Sequence, residues 1–175
     1  MRKKIAVACR DLGNLSTGVQ KTCFGFTQEL VRYREDYEIH LYYSQKQHLQ
    51  WFPEVQQHYL PMSTRLLWDH LLLPLALKRD KVDYAIFPKG TKSLFSPCRD
   101  LVIINDLGYF YPQFDAYQSL DTIYMKWMMP YSARQAWGVF TISEATKQDV
   151  IRFLLPGQSE KVQTIFIDSI FDYQK

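Results

Sequence analysis

Short apolar runs recur along the chain, and each is followed by a polar loop. The first run, 5–9, is continuous and partly β-branched, a pattern typical of a strand buried on both faces of a parallel sheet. Similar runs predict further strands, and a short one is also expected around Tyr59. The predicted strands after the first are 39–43, 83–87, 101–104, 139–142 and 162–167.

Helical periodicity occupies the intervals between these runs. After Gly18, apolar residues recur at steps of four and three, which places them on one face of a helix. The residues of that face are Val19, Cys23, Phe26, Leu30 and Tyr33. Further helices are predicted over 65–78, 119–137 and 143–154, and Pro74 is expected to kink the first of these or to end its first part.

The alternation of strands and helices predicts the fold class. It indicates an α/β, Rossmann-like, doubly wound and mostly parallel sheet with helices on both faces, a three-layer α/β/α arrangement. The length of 175 residues and the 47% hydrophobic content suit a single domain spanning 1–175. Ligands of such sheets bind beyond the carboxyl ends of the strands.

Charge and cysteine content narrow the function classes. The net charge of +3 is too small to indicate nucleic-acid binding without a clustered basic patch. Cys9, Cys23 and Cys98 are scattered and odd in number, which is typical of reduced thiols in a cytosolic protein. The four histidines lie apart in the sequence, without the spacing of a metal site or a nucleophile triad, so no metal is expected.

Nothing in the sequence predicts a membrane span or a secretion signal. The apolar run at the N-terminus stops at Arg10, and the longest apolar stretch, 71–77, is far shorter than a bilayer requires. The Leu-rich helix around Pro74 is followed by Lys78, Arg79 and Lys81. That helix fits core packing, its commoner role, and also fits contact with an anionic membrane surface.

Four polar loops follow predicted strands and are the candidate site. The first spans 10–18 and opens a helix near Gly18, whose backbone N–H groups and dipole could face a phosphate. Asn14, Ser16 and Thr17 belong to the same loop. In the structural interpretation, Gly18 merely permits the turn and Thr17 caps the helix. The loop has neither a dinucleotide fingerprint nor a Walker lysine.

The next two loops carry further candidates. Asn105 and Asp106 follow the strongest predicted strand and could orient a sugar hydroxyl, or else turn the chain. Tyr109 lies in the same loop. Lys89 could contact an anion, although solvated surface lysines are far commoner.

The fourth loop, 142–144, leads into a predicted helix. Ser143 is its expected N-cap, and Glu144 lies in its first turn. Both residues are site candidates because of their position at a strand end, although their structural role at the helix start is the commoner one.

Taken in order, these segments resemble the N-terminal domain of family-4 retaining glycosyltransferases, the GT-B group with two facing Rossmann-like domains. The resemblance covers nearly the whole chain. Its marks include Ser16-Thr17-Gly18-Val19-Gln20, Arg65-Leu66-Leu67-Trp68, Leu73-Pro74, Val82-Asp83-Tyr84, Phe87-Pro88, Val102 to Leu107, Arg134 to Trp137, Thr141 to Val150, and Glu160-Lys161-Val162.

The resemblance implies an acceptor-binding domain in which Thr17 and Gly18 approach the diphosphate of a nucleotide-sugar. Asn105 and Asp106 become the candidate catalytic pair, at a place where the family often has His-Asp, and Asn cannot carry a proton as His can. The chain also has Thr17-Gly18 where Gly-Gly is frequent, and Asp168-Ser169 where Asn-Gly is common. Retaining transfer in this family rests mainly on positioning and on stabilising the leaving diphosphate.

The same resemblance predicts the partners. The substrates would be a nucleotide-sugar and a glycan or lipid-linked acceptor, with no metal and no other cofactor. We expect a C-terminal donor-binding domain of the same protein beyond this chain, little turnover by the chain alone, and a cytoplasmic location that includes contact with the inner face of the membrane. Polysaccharide assembly is the pathway class that the family suggests.

Two other hypotheses stay open at this point. The chain could be a stand-alone Rossmann-like binding module, or a subunit that pairs with a separate donor-binding protein. It could also be a nucleotide-dependent oxidoreductase, which the missing dinucleotide fingerprint disfavours.

Overall fold

The computed structural model describes residues 2–10, 12, 14–111 and 119–165, and within them it shows one seven-stranded sheet. All pairings are parallel, and the strand order is β3-β2-β1-β4-β5-β6-β7. This confirms the predicted Rossmann-like α/β class. The strands are β1 (Lys4–Ala8), β2 (Glu38–Tyr43), β3 (Gln56–Tyr59), β4 (Tyr84–Phe87), β5 (Arg99–Ile104), β6 (Gly138–Thr141) and β7 (Val162–Thr164).

Neighbouring residues of the central strands point into different cores, because side chains alternate along a strand. Ala6 and Ile104 belong to the core on one face of the sheet, whereas Val7 and Ile103 belong to the core on the other. The sheet is therefore buried on both faces, as the continuous apolar runs predicted.

The helices lie on both faces and complete the three layers. Cys23 and Val31 of α1 pack into one core, while Trp68, Met125 and Val150, from three later helices, pack into the other. The helices are α1 (Gly18–Val31), α2 (Arg65–Leu67), α3 (Leu73–Arg79), α4 (Ser119–Gln135) and α5 (Glu144–Phe153).

Helix α1 is capped at its N-terminus and is shorter than its apolar pattern predicted. Thr17 caps it through a reciprocal capping box with Gln20. The predicted apolar face extended to Tyr33, but the helix ends at Val31 and Tyr33 is 55% exposed. Thr27 of the same helix is fully buried. Its hydroxyl is satisfied there because it donates to the Cys23 carbonyl at 2.7 Å.

The first α-helical part of the predicted helix ends before Pro74, which is one of the two outcomes expected for this proline. Helices α2 and α3 are joined without interruption by a π-helical turn, Trp68–Leu72, and Pro74 lies in the first turn of α3. The wider turn accommodates a ring that lacks an N–H and would clash with the preceding turn of an α-helix.

The remaining boundaries differ from prediction by a few residues. Helix α4 stops at Gln135 and contains Pro130. Strand β7 ends at Thr164, one residue before the last described residue, and the predicted positions 166–167 and the pair Asp168-Ser169 lie outside the described residues. No helix among the described residues is long and apolar enough to cross a membrane.

Candidate active site

A small pocket lies at the carboxyl edge of the sheet, where the loops after β4 and β5 meet helices α1 and α4. Its volume is about 90 Å³. The structure thus brings together four residues that the sequence singled out from two separate loops: Lys89, Asn105, Asp106 and Tyr109. The other lining residues are Val19, Gly90, Met125 and Met129.

Asn105 connects the loops around this pocket. Its side-chain Nδ2 donates to the Pro88 carbonyl at 3.0 Å, and its backbone carbonyl accepts from Thr146 Oγ1 at 3.2 Å. Its side-chain Oδ1 is buried and has no hydrogen-bond partner among the described residues. An unpaired buried acceptor is costly unless a ligand or water supplies the donor, so Asn105 is poised to accept a hydrogen bond.

Asp106 lies at the exposed side of the pocket. Its Oδ1 accepts from the backbone N–H of Gly108 at 2.8 Å, which is the turn-forming role expected of an aspartate in a loop. The carboxylate nevertheless stays at the pocket wall. The structural and functional interpretations of Asp106 are therefore compatible.

Tyr109 lines the pocket while its hydroxyl is held by a neighbouring carboxylate. The hydroxyl donates to Asp121 Oδ2 at 2.7 Å, and Arg65 Nη1 contacts Asp121 Oδ1 at 2.9 Å. Arg65 also contacts Asp69 at 3.4 Å. These bonds fix the wall of the site to the helix that begins at Arg65.

The first loop lies beside the pocket, with its polar side chains engaged locally. The side-chain carbonyl of Gln20 accepts from the backbone N–H groups of Ser16 and Thr17 at 2.8 and 3.2 Å. Gly18 has space around it, since a Cβ would meet no atom within 4 Å. Val19, the next residue, lines the pocket. The N-terminus of α1 therefore lies beside the pocket, and Gly18 has no side chain that would fill the space around it.

Asn14, a predicted site residue of the first loop, is exposed and is not among the residues that line the pocket. Leu15 has a φ of 61°, a left-handed conformation that is strained for a branched side chain. Such strain occurs in loops whose shape is fixed by the surrounding fold.

The side chains of Ser143 and Glu144 make contacts in different parts of the structure. Ser143 caps α5 and contacts Thr146 Oγ1 at 2.9 Å, so it reaches Asn105 through Thr146. Glu144 turns away, bonding Gln148 Nε2 at 3.1 Å and Thr164 Oγ1 at 3.0 Å. These donors lower the pKa of Glu144. Glu144 therefore does not line the pocket, because its position in the helix directs it toward β7.

Sequence reasoning missed a second, larger feature of this edge. An open groove of about 710 Å³ lies between the loops after β1, β2 and β3. It is mostly polar and contains one aromatic ring, Tyr59, which carries Lys46 Nζ 5.4 Å from its centroid. Its lining residues are Arg10, Gln20, Ser44, Gln45, Tyr59, Pro61, Met62 and Ser63.

Two ion pairs join segments of the chain outside the lining of the pocket. Arg10 contacts Asp69 at 3.1 Å, which ties the first loop to the α2–α3 segment. Lys92 and Asp100 form a buried pair at 2.8 Å with side chains only 8% and 5% exposed. Burial raises the pKa of Asp100, while Lys92 and Ser96 oppose that shift.

The histidines are not all apart, contrary to the sequence interpretation. The parallel pairing of β2 and β3 brings His40 Nδ1 within 2.9 Å of His58 Nε2, and Asp80 lies 3.6 Å from His58 Nδ1. Together these three residues offer donor atoms within 4.8 Å of one another. Residues 18 positions apart in two strands give no sequence signal for this contact.

Comparison with known proteins supports the fold. The chain is similar to the crystal structure of a glycosyltransferase from Rickettsia africae ESF-5, with a TM-score of 0.58 and 11% sequence identity. The similarity covers 94% of this chain and 43% of that one, so this chain spans less than half the length of that protein. No family model and no curated protein matches the sequence.

Proposed function

We propose that this chain is the acceptor-side domain of a retaining GT-B glycosyltransferase, which transfers a sugar from a nucleotide-sugar to a glycan or lipid-linked acceptor. The observation that carries the proposal is the convergence of Asn105, Asp106 and Lys89 beside the N-terminus of α1 at one pocket. The fold shared with a known glycosyltransferase structure supports it.

The N-terminus of α1 supplies the proposed approach to the donor diphosphate. The first N–H groups of a helix have no partner within the helix, and its dipole favours a negative charge there. The open space around Gly18 would let phosphate oxygens approach the backbone. Lys89 at the pocket wall adds a positive charge that would stabilise the diphosphate as it leaves.

Asp106 and Asn105 have the proposed role of orienting the acceptor. The Asp106 carboxylate can accept a hydrogen bond from a sugar hydroxyl, and the unpaired Oδ1 of Asn105 can accept a second one. Fixing a reacting hydroxyl in this way lowers the entropic part of the barrier, which is the contribution that positioning makes to catalysis.

The groove beside the pocket is the proposed binding place of the acceptor chain. Its volume of about 710 Å³ and its polar wall suit several sugar units better than the compact pocket does. Tyr59 offers a flat apolar surface of the kind that ligand sites use alongside a few polar groups. Arg10 would contact acidic substituents there.

The remaining parts of the proposal concern the whole protein. The donor nucleotide would be held mainly by a C-terminal domain of the same protein. We propose a cytoplasmic location and no metal or cofactor, with Asn105-Asp106 acting through positioning and not through proton transfer by Asn105.

The test uses this chain and the longer protein in parallel. We expect the chain to bind acceptor glycans in a panel screened by NMR, with shifts at Tyr59 and Gln45, and to show little sugar-nucleotide turnover. In the longer protein, Asp106→Asn removes the charge that strengthens the hydrogen bond to the acceptor hydroxyl, and it should lower transfer by about 100-fold. Asp36→Asn, an exposed aspartate in the turn between α1 and β2, is the matched control and should leave transfer unchanged.

Two results would contradict the proposal. Robust glycosyl transfer by the 175-residue chain alone would mean that no second domain is needed. Equal activity of the Asp106→Asn and Asp36→Asn variants would remove Asp106 from the site.

A further inference from the structure

A further small cavity at the carboxyl edge of the sheet lies where β1 and β4 end. Ala8 and Phe87, the last residues of these neighbouring strands, line it, and its volume is about 20 Å³. We call it the β1–β4 cavity. The strand order places β2 and β3 on one side of β1 and every later strand on the other. The cavity therefore lies at the topological switch point, where open parallel sheets bind their ligands.

The wall of the β1–β4 cavity is rich in positive charge. Four cationic side chains and one carboxylate are among the described residues that line it: Arg10, Arg65, Lys89, Lys92 and Asp69. Two more carboxylates contact these cations from outside the lining, Asp100 on Lys92 at 2.8 Å and Asp121 on Arg65 at 2.9 Å. A ligand that enters the cavity therefore meets mainly cationic donors, which favour an anionic group.

The two arginines already hold a carboxylate of the protein itself. Arg10 Nε lies 3.1 Å from Asp69 Oδ1, and Arg65 Nε lies 3.4 Å from Asp69 Oδ2. These contacts fix both guanidinium groups at the cavity, with side chains only 16% and 22% exposed. A fixed and partly buried guanidinium group binds a carboxylate with less loss of side-chain entropy and less screening than a surface one does.

Two hydroxyl residues add further donors to the wall. Thr91 is 9% exposed and Ser93 is fully buried, and both follow β4 in the same loop as Lys89. A hydroxyl can donate to a carboxylate oxygen. Burial strengthens such a bond because the local dielectric constant is low.

The size of the β1–β4 cavity limits the group that can enter. A water molecule needs about 10–15 Å³ measured in the same way, so about 20 Å³ admits the oxygens of one small group and no sugar ring. The two oxygens of a carboxylate lie in one plane and match the fork of an arginine. The cavity thus suits a carboxylate that projects from a larger ligand outside it.

The β1–β4 cavity lies between the groove and the pocket. Arg10 lines both the cavity and the groove, whereas Lys89 lines both the cavity and the pocket that contains Asp106. A sugar at the inner end of the groove would therefore place one substituent in the cavity and present a hydroxyl to the pocket.

We propose that the β1–β4 cavity binds the carboxylate of an acidic sugar, so that the acceptor is a glycan containing uronic acid units. The role of this glycan as acceptor rests on the proposed function. Binding of the carboxylate in the cavity does not.

The test is titration of the chain with glucuronate and with glucose, followed by NMR. Glucuronate should bind about tenfold more tightly or better, because glucose has a hydroxymethyl group in place of the carboxylate. Added salt should weaken the binding of glucuronate and leave that of glucose unchanged.

Arg10→Gln should abolish the preference for glucuronate, while Asp69 keeps its contact with Arg65. Arg32→Gln is the matched control, because Arg32 is also paired with a carboxylate, Glu29 at 3.0 Å, but is 70% exposed and lies outside the cavity. Lys89→Gln is a second variant that should weaken glucuronate binding, and the circular dichroism of each variant should match that of the parent.

Three results would overturn the inference. They are equal binding of glucuronate and glucose, equal loss from Arg10→Gln and Arg32→Gln, and tighter binding of glucose 6-phosphate than of glucuronate, which would assign the cavity to phosphate. Transfer by the longer protein to neutral glycans, without glucuronate binding, would refute the inference and keep the proposed function. Glucuronate binding that Arg10→Gln abolishes, without any transfer by the longer protein, would keep the carboxylate site and refute the proposed function.

Discussion

The imidazole rings of His40 and His58 lie edge to edge, with His40 Nδ1 2.9 Å from His58 Nε2 and the ring planes inclined by 6°. Two nitrogens on a tetrahedral metal would lie about 3.3 Å apart, given metal–nitrogen bonds of about 2.0–2.1 Å. The shorter, in-line contact suits one shared hydrogen bond. Glu38, 2.9 Å from His40 Nε2, orients the first ring, and Asp80 faces the second.

This arrangement predicts that the protein loses stability in mild acid. Burial lowers the pKa of His58, an effect that the Asp80 charge only partly opposes. The neighbouring charges of His40, Arg79 and Lys4 lower it further. The unfolded chain takes up a proton near pH 6.5 that folded His58 resists, so the free energy of unfolding should fall as the pH drops below about 7.

Urea unfolding at about pH 7.5 and about pH 5.5 measures this effect. His58→Gln should reduce the pH dependence, since the amide can still donate to His40 but does not titrate. Some dependence should remain, because burial also lowers the pKa of His70. An unchanged pH dependence in the variant would show that His58 is not the responsible group.

Asn105 and Asp106 should respond oppositely to exchange of acid and amide. Asn105→Asp places a carboxylate against the Pro88 carbonyl, which needs a donor, and should lower the free energy of unfolding by about 1–3 kcal/mol. Asp106→Asn keeps an oxygen for the Gly108 N–H and should change stability by less than about 0.5 kcal/mol. Urea titration of both variants is the measurement, and equal losses would contradict the assigned contacts.

The Lys92–Asp100 pair should contribute far more than a surface pair of the same length. Lys92→Met leaves a buried carboxylate and should destabilise by about 3 kcal/mol, which Lys92→Met with Asp100→Leu should partly restore. Lys3→Met is the control, since Lys3 and Asp83 are also 2.8 Å apart but 61% and 32% exposed. That change should cost much less than Lys92→Met, because water screens an exposed pair. Similar losses from the two single variants would refute the argument from burial.

Much of the fold could be predicted from sequence because its strands are buried on both faces. Continuous apolar runs such as 101–104, separated by regular polar loops, are typical of interior strands in a parallel sheet. The pocket followed from the same reasoning, since the ends of parallel strands share one edge and Asn105 and Lys89 follow two neighbouring strands.

The features that the sequence did not predict depend on contacts between residues that are far apart in the chain. The His40–His58 contact depends on the register of β2 against β3, which alternation alone does not determine. Glu144 was placed at a strand end correctly, but the direction of its side chain depends on Thr164, a residue of the next strand. The π-helical turn before Pro74 has no signal in the apolar periodicity, and its first residue, Trp68, is buried in the core.

An added methyl group should affect stability differently at Gly90 and at Gly18. Gly90 has a φ of 74°, and a Cβ there would lie 3.0 Å from Met129 Cε, so Gly90→Ala should lower the free energy of unfolding by about 1–2 kcal/mol. Gly18 begins α1 with open space around it, so Gly18→Ala should leave stability equal or raise it by about 0.4–1 kcal/mol.

Activity should respond to Gly18→Ala in the opposite direction from stability. If the backbone at Gly18 approaches the donor diphosphate, an added methyl group should raise the KM for the nucleotide-sugar in the longer protein. The free energy of unfolding should not fall in the same variant. Urea unfolding together with initial-rate kinetics gives both quantities for one variant. Wild-type KM in Gly18→Ala would indicate that the diphosphate does not approach this helix, and the open space at Gly18 would then have no role in donor binding.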